Sequence, residues 1–455
     1  MKKILFAIAL ISIFVSCKTT KDNTEVINND VENNFSQDEQ INDDDPEDYF
    51  VEDRIKYEDR VYLETIKSVV IHGSDWVYSP PVLDLNGEKT LEFYFDDLSE
   101  NTKDFRYTFI LCDADWKPVD LLQMEYLDGF FEDEITEYYF SRNTRQPYIH
   151  YRVQLPGENM KPTKSGNYIL KVWYDDNGEE KVAITRRFYV NEGVLGISAN
   201  VKPDTDIETR NYRQEVDFEI NTGTFQIINP YQNLHVVIQQ NGRYDNAITN
   251  LKPRLVKGTT LDYNYESGNI FDATNEFRFF DIKSLSYNSE NIANIEKRDD
   301  TYHVILTSDQ RRPYQRYMSS DDINGRLLIK NDDGYDSNIE GEYVWVHFFL
   351  EYPNPLNEGS VYIMGALTDW NYTEANKMDY DFERKGYADS LLLKQGYYNY
   401  LYAFLPNNSS VADDAFIEGR HYEADNDYSI YVYYREPGEI FDRLLVFISL
   451  NSRNN

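Results

Sequence analysis

Six histidines, two cysteines and a surplus of carboxylates are the side chains here that could bind a metal, attack a carbonyl or shuttle a proton. The histidines, His72, His150, His235, His303, His347 and His421, are scattered, and none stands in a pair at ligand spacing such as His-Glu-x-x-His. His150 and His347 sit within strand-like runs, where a hydrogen-bonded structural imidazole is expected. No Gly-x-Ser-x-Gly elbow, phosphate loop or dinucleotide fingerprint occurs. Cys112 has no basic neighbour to favour a thiolate and reads as a small buried hydrophobe. Asp113 and Asp115 flank Ala114 just after a strand-like run, as turn residues do. If Gly325 of Asn324-Gly325 were the sixth position of a calcium loop, Ser320 and Asn331 would fall where Asp and Glu are required, so the loop fails at both ends. The residues therefore point to a chain with no catalytic residue, no metal and no cofactor, acting on no small-molecule substrate.

Stacking is the remaining chemistry. VYIMGALTDWNY, residues 361–372, alternates apolar and polar side chains, reaches a Gly and turns through a Trp. Followed by a Gly-x-Tyr strand, it resembles the early-set sandwich that binds glucans, which implies Trp370 as the platform and Tyr372 as its companion. A tryptophan at such a bend can equally cap a core. The stretch reads as a sandwich shoulder, with a carbohydrate-binding envelope lipoprotein as the alternative function.

The formal charge of −35 repels phosphate backbones and excludes nucleic acid as a partner. Residues 21–60 hold 15 acidic and 4 basic side chains with few apolar ones, the composition of a solvated tether. Ahead of it, Lys2 and Lys3 precede the apolar run Ile4 to Val15, then Ser16 and Cys17. This is a signal peptide ending at a cysteine, with Phe14 where a lipobox usually carries Leu. Cys17 is the expected lipidation site. Several acyl chains, at ~0.8 kcal/mol per buried methylene, would moor the protein to a membrane.

From residue 61 onward the pattern is of short alternating runs between turn-forming clusters: LEFYFDDL (91–98), YTFILCDADW (107–116), YIHYRVQL (148–155). Asn177-Gly178 between two β-rich runs is the strongest hairpin signal. In the second arm Ile184, Arg186, Phe188 and Val190 share a face, so Arg186 needs a carboxylate partner if that face is core, or else lies near a sheet edge and reaches solvent. Glu276 and Arg278 project together from NEFRFFDI and could pair. SGNYILKV (165–172) and QGYYNYLY (395–402) both place a Gly two residues before a Tyr that opens a strand, with the tyrosine packed at the corner. The expected fold is all-β, tandem immunoglobulin-like or early-set sandwiches. The expected division is a signal peptide over 1–16, lipidated tether over 17–60, and domains over 61–192, 193–338 and 339–455.

The runs FDDL (95–98), ILCDADW (110–116), SGNYILKV, ITRRFYV (184–190), VIQQNGRYDNAI (237–248), NEFRFFDI (275–282), GALTDW (365–370), LKQGYYNY (393–400) and FIEGRHYEADNDYSIYVYYR (416–435) resemble, in that order, the plug proteins of the type IX secretion system of Bacteroidota. The chain departs from the family pattern at Leu111, where a histidine is usual, and at Ala424-Asp425-Asn426, where Thr-Glu-Asn is usual. The resemblance implies a non-enzymatic, β-rich gate that seals the periplasmic mouth of the outer-membrane translocon barrel. It implies a periplasmic location, held to the outer membrane by the lipid, and supplies no catalytic residues.

Overall fold

The structure, a computed structural model, describes residues 55–453. Cys17, the leader and the tether as far as residue 54 lie outside them. Among the described residues strands dominate, as the period-2 alternation requires, and the three α-helices there are single turns of four residues. Among the described residues no helix is long and apolar enough to cross a membrane.

The N-terminal domain is a two-sheet sandwich. One sheet runs Ile66–Gly73, Leu91–Asp97, Ile149–Leu155, Glu137–Phe140. The other runs Arg60–Val61, Glu179–Asn191, Gly166–Asp176, Arg106–Cys112, Asp133–Glu134, with Val82–Asp84 added in parallel to Glu179–Asn191. Alternate residues of both sheets meet in a core that includes Phe93, Phe95, Phe109, Tyr151 and Phe188. Burying a side chain of this class stabilises by ~1.5–3 kcal/mol. The Asn177-Gly178 turn has φ of 58° and 91°, the left-handed pair a tight hairpin needs. Residues 55–60, expected to belong to the tether, instead fold onto this domain. Thr185 Oγ1 donates to the Glu58 carbonyl at 2.7 Å, and Arg60 and Val61 pair with Thr185 and Ile184.

The middle domain departs from the expected boundaries. Its first sheet, Gly196–Pro203, Arg213–Asn221, Thr260–Asp262, Leu255–Lys257, comes from the middle of the chain. The facing sheet takes Ile248–Leu251 and Leu234–Gln240 from there but is completed by Asp427–Tyr434 and Arg443–Asn451. The last two strands thus belong to the middle sandwich, and the third domain, near residues 276–425, is an insertion within it. Burial explains the pairing: Tyr428, Ile430 and Val432 close over Val236 and Ile238 in one core. Alternation reveals a strand, and not which strand it joins.

The inserted domain is one sheet of nine strands folded over itself, from Arg278–Asp281 and Gly396–Pro406 at one end to Thr301–Leu306 and Ile292–Arg298 at the other. Its halves meet where Phe280 and Tyr400 contact Phe348 edge-on, at 5.7 and 5.2 Å between centroids. Both Gly-x-Tyr entries are tyrosine corners. Tyr168 donates to the Lys164 carbonyl at 2.9 Å and Tyr398 to the Lys394 carbonyl at 2.5 Å, each tying a strand start to the backbone four residues upstream.

Candidate functional site

The strand Glu179–Asn191 carries adjacent arginines to opposite faces. Its outer neighbour is split, Arg60–Val61 pairing with Thr185 and Ile184 and Val82–Asp84 with Tyr189 to Asn191, and Arg186 sits in the gap. Its guanidinium, buried, donates to both Asp369 carboxylate oxygens at 3.1 and 3.0 Å. Asp369 is the acid of GALTDW, so this stretch of the inserted domain is latched to the N-terminal domain. The carboxylate partner expected of a buried Arg186 is present, and the alternative, an edge position reaching solvent, is not what is found, since the side chain is buried beside the incomplete edge. Arg187 stacks over Trp116 at 4.6 Å and Tyr244 at 4.0 Å, and its Nε and Nη2 donate to the Tyr57 carbonyl. Tyr189 lies flat on Tyr431, 4.5 Å between centroids, and the N-terminal and middle domains meet through these rings. Where the three domains converge they leave a cleft of about 260 Å³, lined in part by Arg186, Arg187, Tyr244, Asp369 and Trp370.

A second seam joins the outer face of the N-terminal sheet to the inserted domain. The buried Asp96 carboxylate receives Lys394 Nζ at 2.6 Å and the Tyr343 hydroxyl at 2.7 Å, and lies 2.7 Å from His150 Nδ1. Burial alone would raise the Asp96 carboxyl, but the Lys394 ammonium and His150 outweigh it and hold the group below the usual range. Nearby, Glu342 accepts the backbone N–H groups of Arg145 and Gln146 at 2.6 and 3.1 Å. His150 is thus a structural histidine, as its run suggests.

Trp370 and Tyr372 both have packing roles. Trp370 stands edge-on to Phe277, and a Cβ on Gly325 would come within 2.5 Å of its ring, so Gly325 opens the seat the indole fills. The Tyr372 hydroxyl donates to Asp245, itself held by Arg243 at 2.8 Å, and its ring meets Tyr362 edge-on. Tyr372 thus ties the inserted domain to the middle one, while Trp370 packs within the inserted domain. Cys112 is buried, and burial together with Asp113 pushes its thiol up to about 12. Asp113 caps a turn, accepting from the N–H groups of Asp115 and Lys117.

Two juxtapositions differ from those the sequence suggests. Glu276 and Arg278 do not pair: Arg278 binds Glu418 at 3.0 Å and Asp309 at 2.6 Å, while Glu276 binds Arg453 at 2.6 Å. Burial would raise the Glu418 carboxyl, yet Arg278 and Arg312 hold it at about 2. His303 and His347, unrelated by spacing, stack at 5.1 Å because their strands pair in parallel, with Nδ1 and Nε2 2.8 Å apart and Ser390 Oγ 2.6 Å from His347 Nδ1. Burial and the neighbouring His303 lower the His347 pKa. Among the described residues no group of three or more His, Cys, Asp or Glu side chains is placed to hold a metal ion.

The family model described as type 9 secretion system plug protein 1st domain matches residues 66–192, which is the N-terminal sandwich. A crystal structure of a hypothetical protein from Parabacteroides merdae is 37% identical, covers 88% of this chain and 100% of its own, and superposes with a TM-score of 0.85. The C-terminal domain of the Streptococcus pyogenes antigen I/II-family protein AspA is 9% identical and superposes with a TM-score of only 0.17. No curated protein matches the chain.

Proposed function

Because the chain belongs to the type IX secretion system plug family, components of a secretion apparatus in the cell envelope rather than a family of enzymes, we propose that it seals the periplasmic mouth of the outer-membrane translocon barrel without catalysing a reaction. The observation that carries this reading is the family match, joined to the way the three domains are fastened. Arg186–Asp369, Asp96–Lys394 and the Tyr189–Tyr431 stack oppose relative motion of the sandwiches. A stopper must not deform under the load it blocks. Acylated Cys17 and a tether that, with residues 55–60 folded onto the first domain, is ~37 residues long and reaches on the order of 33 Å as a flexible coil, would confine the stopper near barrels in the same membrane. That raises its effective concentration, so a moderate, polar, releasable interface suffices.

The glucan reading gains no support from the site, since Trp370 and Tyr372 are engaged with Phe277, Tyr362 and Asp245. The test is affinity purification of the barrel from a strain blocked in cargo delivery. The chain is expected with it at close to one-to-one, and a barrel recovered without the chain would overturn the proposal. Cys17→Ser should move the chain to the soluble periplasmic fraction, and retention in the outer membrane would refute the lipid anchor.

A further inference from the structure

Exposed large apolar side chains are spread thinly over this protein except in one place. Of 22 such residues among those described, seven fall between Leu122 and Phe140, so this segment concentrates them beyond the ordinary scatter of a soluble surface. Leu122, Met124, Phe130, Phe131, Tyr138 and Phe140 are 44–69% exposed. The segment supplies the edge strands of both N-terminal sheets, Asp133–Glu134 to one and Glu137–Phe140 to the other, and so lies along one flank of the sandwich.

The flank is held rigid while its apolar groups face out. Gly129, at φ 93°, passes so close to the Asn159 carbonyl that a Cβ there would lie 2.1 Å from the oxygen. Phe130 N donates to that carbonyl at 2.7 Å, Thr108 Oγ1 donates to the Phe131 carbonyl at 2.6 Å, and Gln123 Nε2 donates to Thr108 Oγ1 at 3.0 Å. Ile135 anchors the segment in the core. Side chains fixed in advance lose little freedom on docking.

Charge selects the occupant. Residues 119–140 contain seven Asp or Glu and no Lys or Arg; Arg106 pairs with Glu132 and Glu134, and Arg152 with Glu137, so the flank stays net acidic, carried by Asp120, Glu125, Asp128 and Asp133. An anionic membrane surface recruits apolar groups ringed by basic residues, and here the sign is reversed. Resting on the plug reading above, we infer that this flank is the docking surface for the translocon and that it enters an apolar recess of that protein rimmed by Lys and Arg. The apolar side chains supply the buried centre, and the acidic rim supplies orientation and association rate.

The test measures binding of the full chain to purified translocon barrel and to vesicles of zwitterionic and of anionic lipid. Phe130→Ser with Phe131→Ser should weaken barrel binding at least tenfold, Phe382→Ser with Tyr314→Ser should leave it unchanged, and Asp128→Asn with Glu132→Gln should slow association several-fold at low salt only. A photo-crosslinking residue at position 130 should capture the barrel in cells where one at 382 does not. If the wild-type chain binds and the 130/131 variant binds equally well, the flank assignment falls and the plug reading stands. If the wild-type chain neither binds nor crosslinks to the barrel, both fall. Vesicle binding lost in the 130/131 variant would assign the flank to lipid and overturn the inference.

Discussion

The N-terminal domain meets its two neighbours through seams of different chemistry. Against the middle domain the buried centre is aromatic, Tyr189 on Tyr431 and Arg187 over Tyr244, with the Glu192–Arg443 and Asp113–Arg435 ion pairs at its more exposed margin. Against the inserted domain it is ionic, with Asp96 buried among Lys394, Tyr343 and His150, and Arg186 clasping Asp369. Ring stacking tolerates small shifts. A buried carboxylate does not, because each displaced donor leaves charge unsolvated. The ionic seam therefore fixes orientation, and the aromatic seam contributes area.

Breaking the ionic seam from one side should have the largest effect. Lys394→Met leaves Asp96 buried without its cation, and a loss of about 3–5 kcal/mol is expected in urea unfolding. The double variant Asp96→Asn with Lys394→Met should recover most of it, and no recovery would show that the two groups act separately. Acid probes the same contact. The Asp96 carboxyl is held below its unfolded value, so its stabilisation is complete above the ordinary carboxylate pKa and is lost as pH falls through the folded one. Hydrogen exchange should accordingly show residues 91–97 losing protection in acid before the strand at 427–434 does. Simultaneous loss would erase the distinction between the seams.

On the aromatic side, Arg187→Ala removes a cation stacked on two rings and should cost about 2 kcal/mol, with acid sensitivity unchanged. Arg187→Lys should restore only part of this, since an ammonium lacks the planar face. The smallest expected effects are at the corners. Tyr168→Phe and Tyr398→Phe each delete one hydroxyl-to-carbonyl bond, worth about 1 kcal/mol, and should shift thermal unfolding similarly in the two domains.

What the sequence discloses is local. Alternation exposes the strands, Asn177-Gly178 exposes its hairpin, the Gly-x-Tyr entries expose both corners, and the placement of Arg186 among Ile184, Phe188 and Val190 forces the question that Asp369 answers. Long-range pairing is invisible to the same reasoning. Lys394 and Asp96 are 298 residues apart, and neither has a neighbour that announces the other. His303 and His347 meet only because two strands run parallel. The run Glu137–Phe140 shows how burial escapes pattern: Tyr138 and Phe140 alternate as core residues do, yet face solvent because their strand lies at an edge. Of the candidate site, the aromatic residues at 370 and 372 were legible as a shoulder, whereas the exposed flank needs three dimensions to be seen.

The split of the middle sandwich has a consequence for biogenesis. Its second sheet waits for Asp427–Tyr434 and Arg443–Asn451, so a chain emerging from its amino end can finish the first sandwich, and then the inserted one, while the central one still lacks half a wall. Maturation would run from the two outer lobes toward the centre, and a cut just after residue 425 would leave an open β-edge in the interior of the molecule instead of trimming a tail.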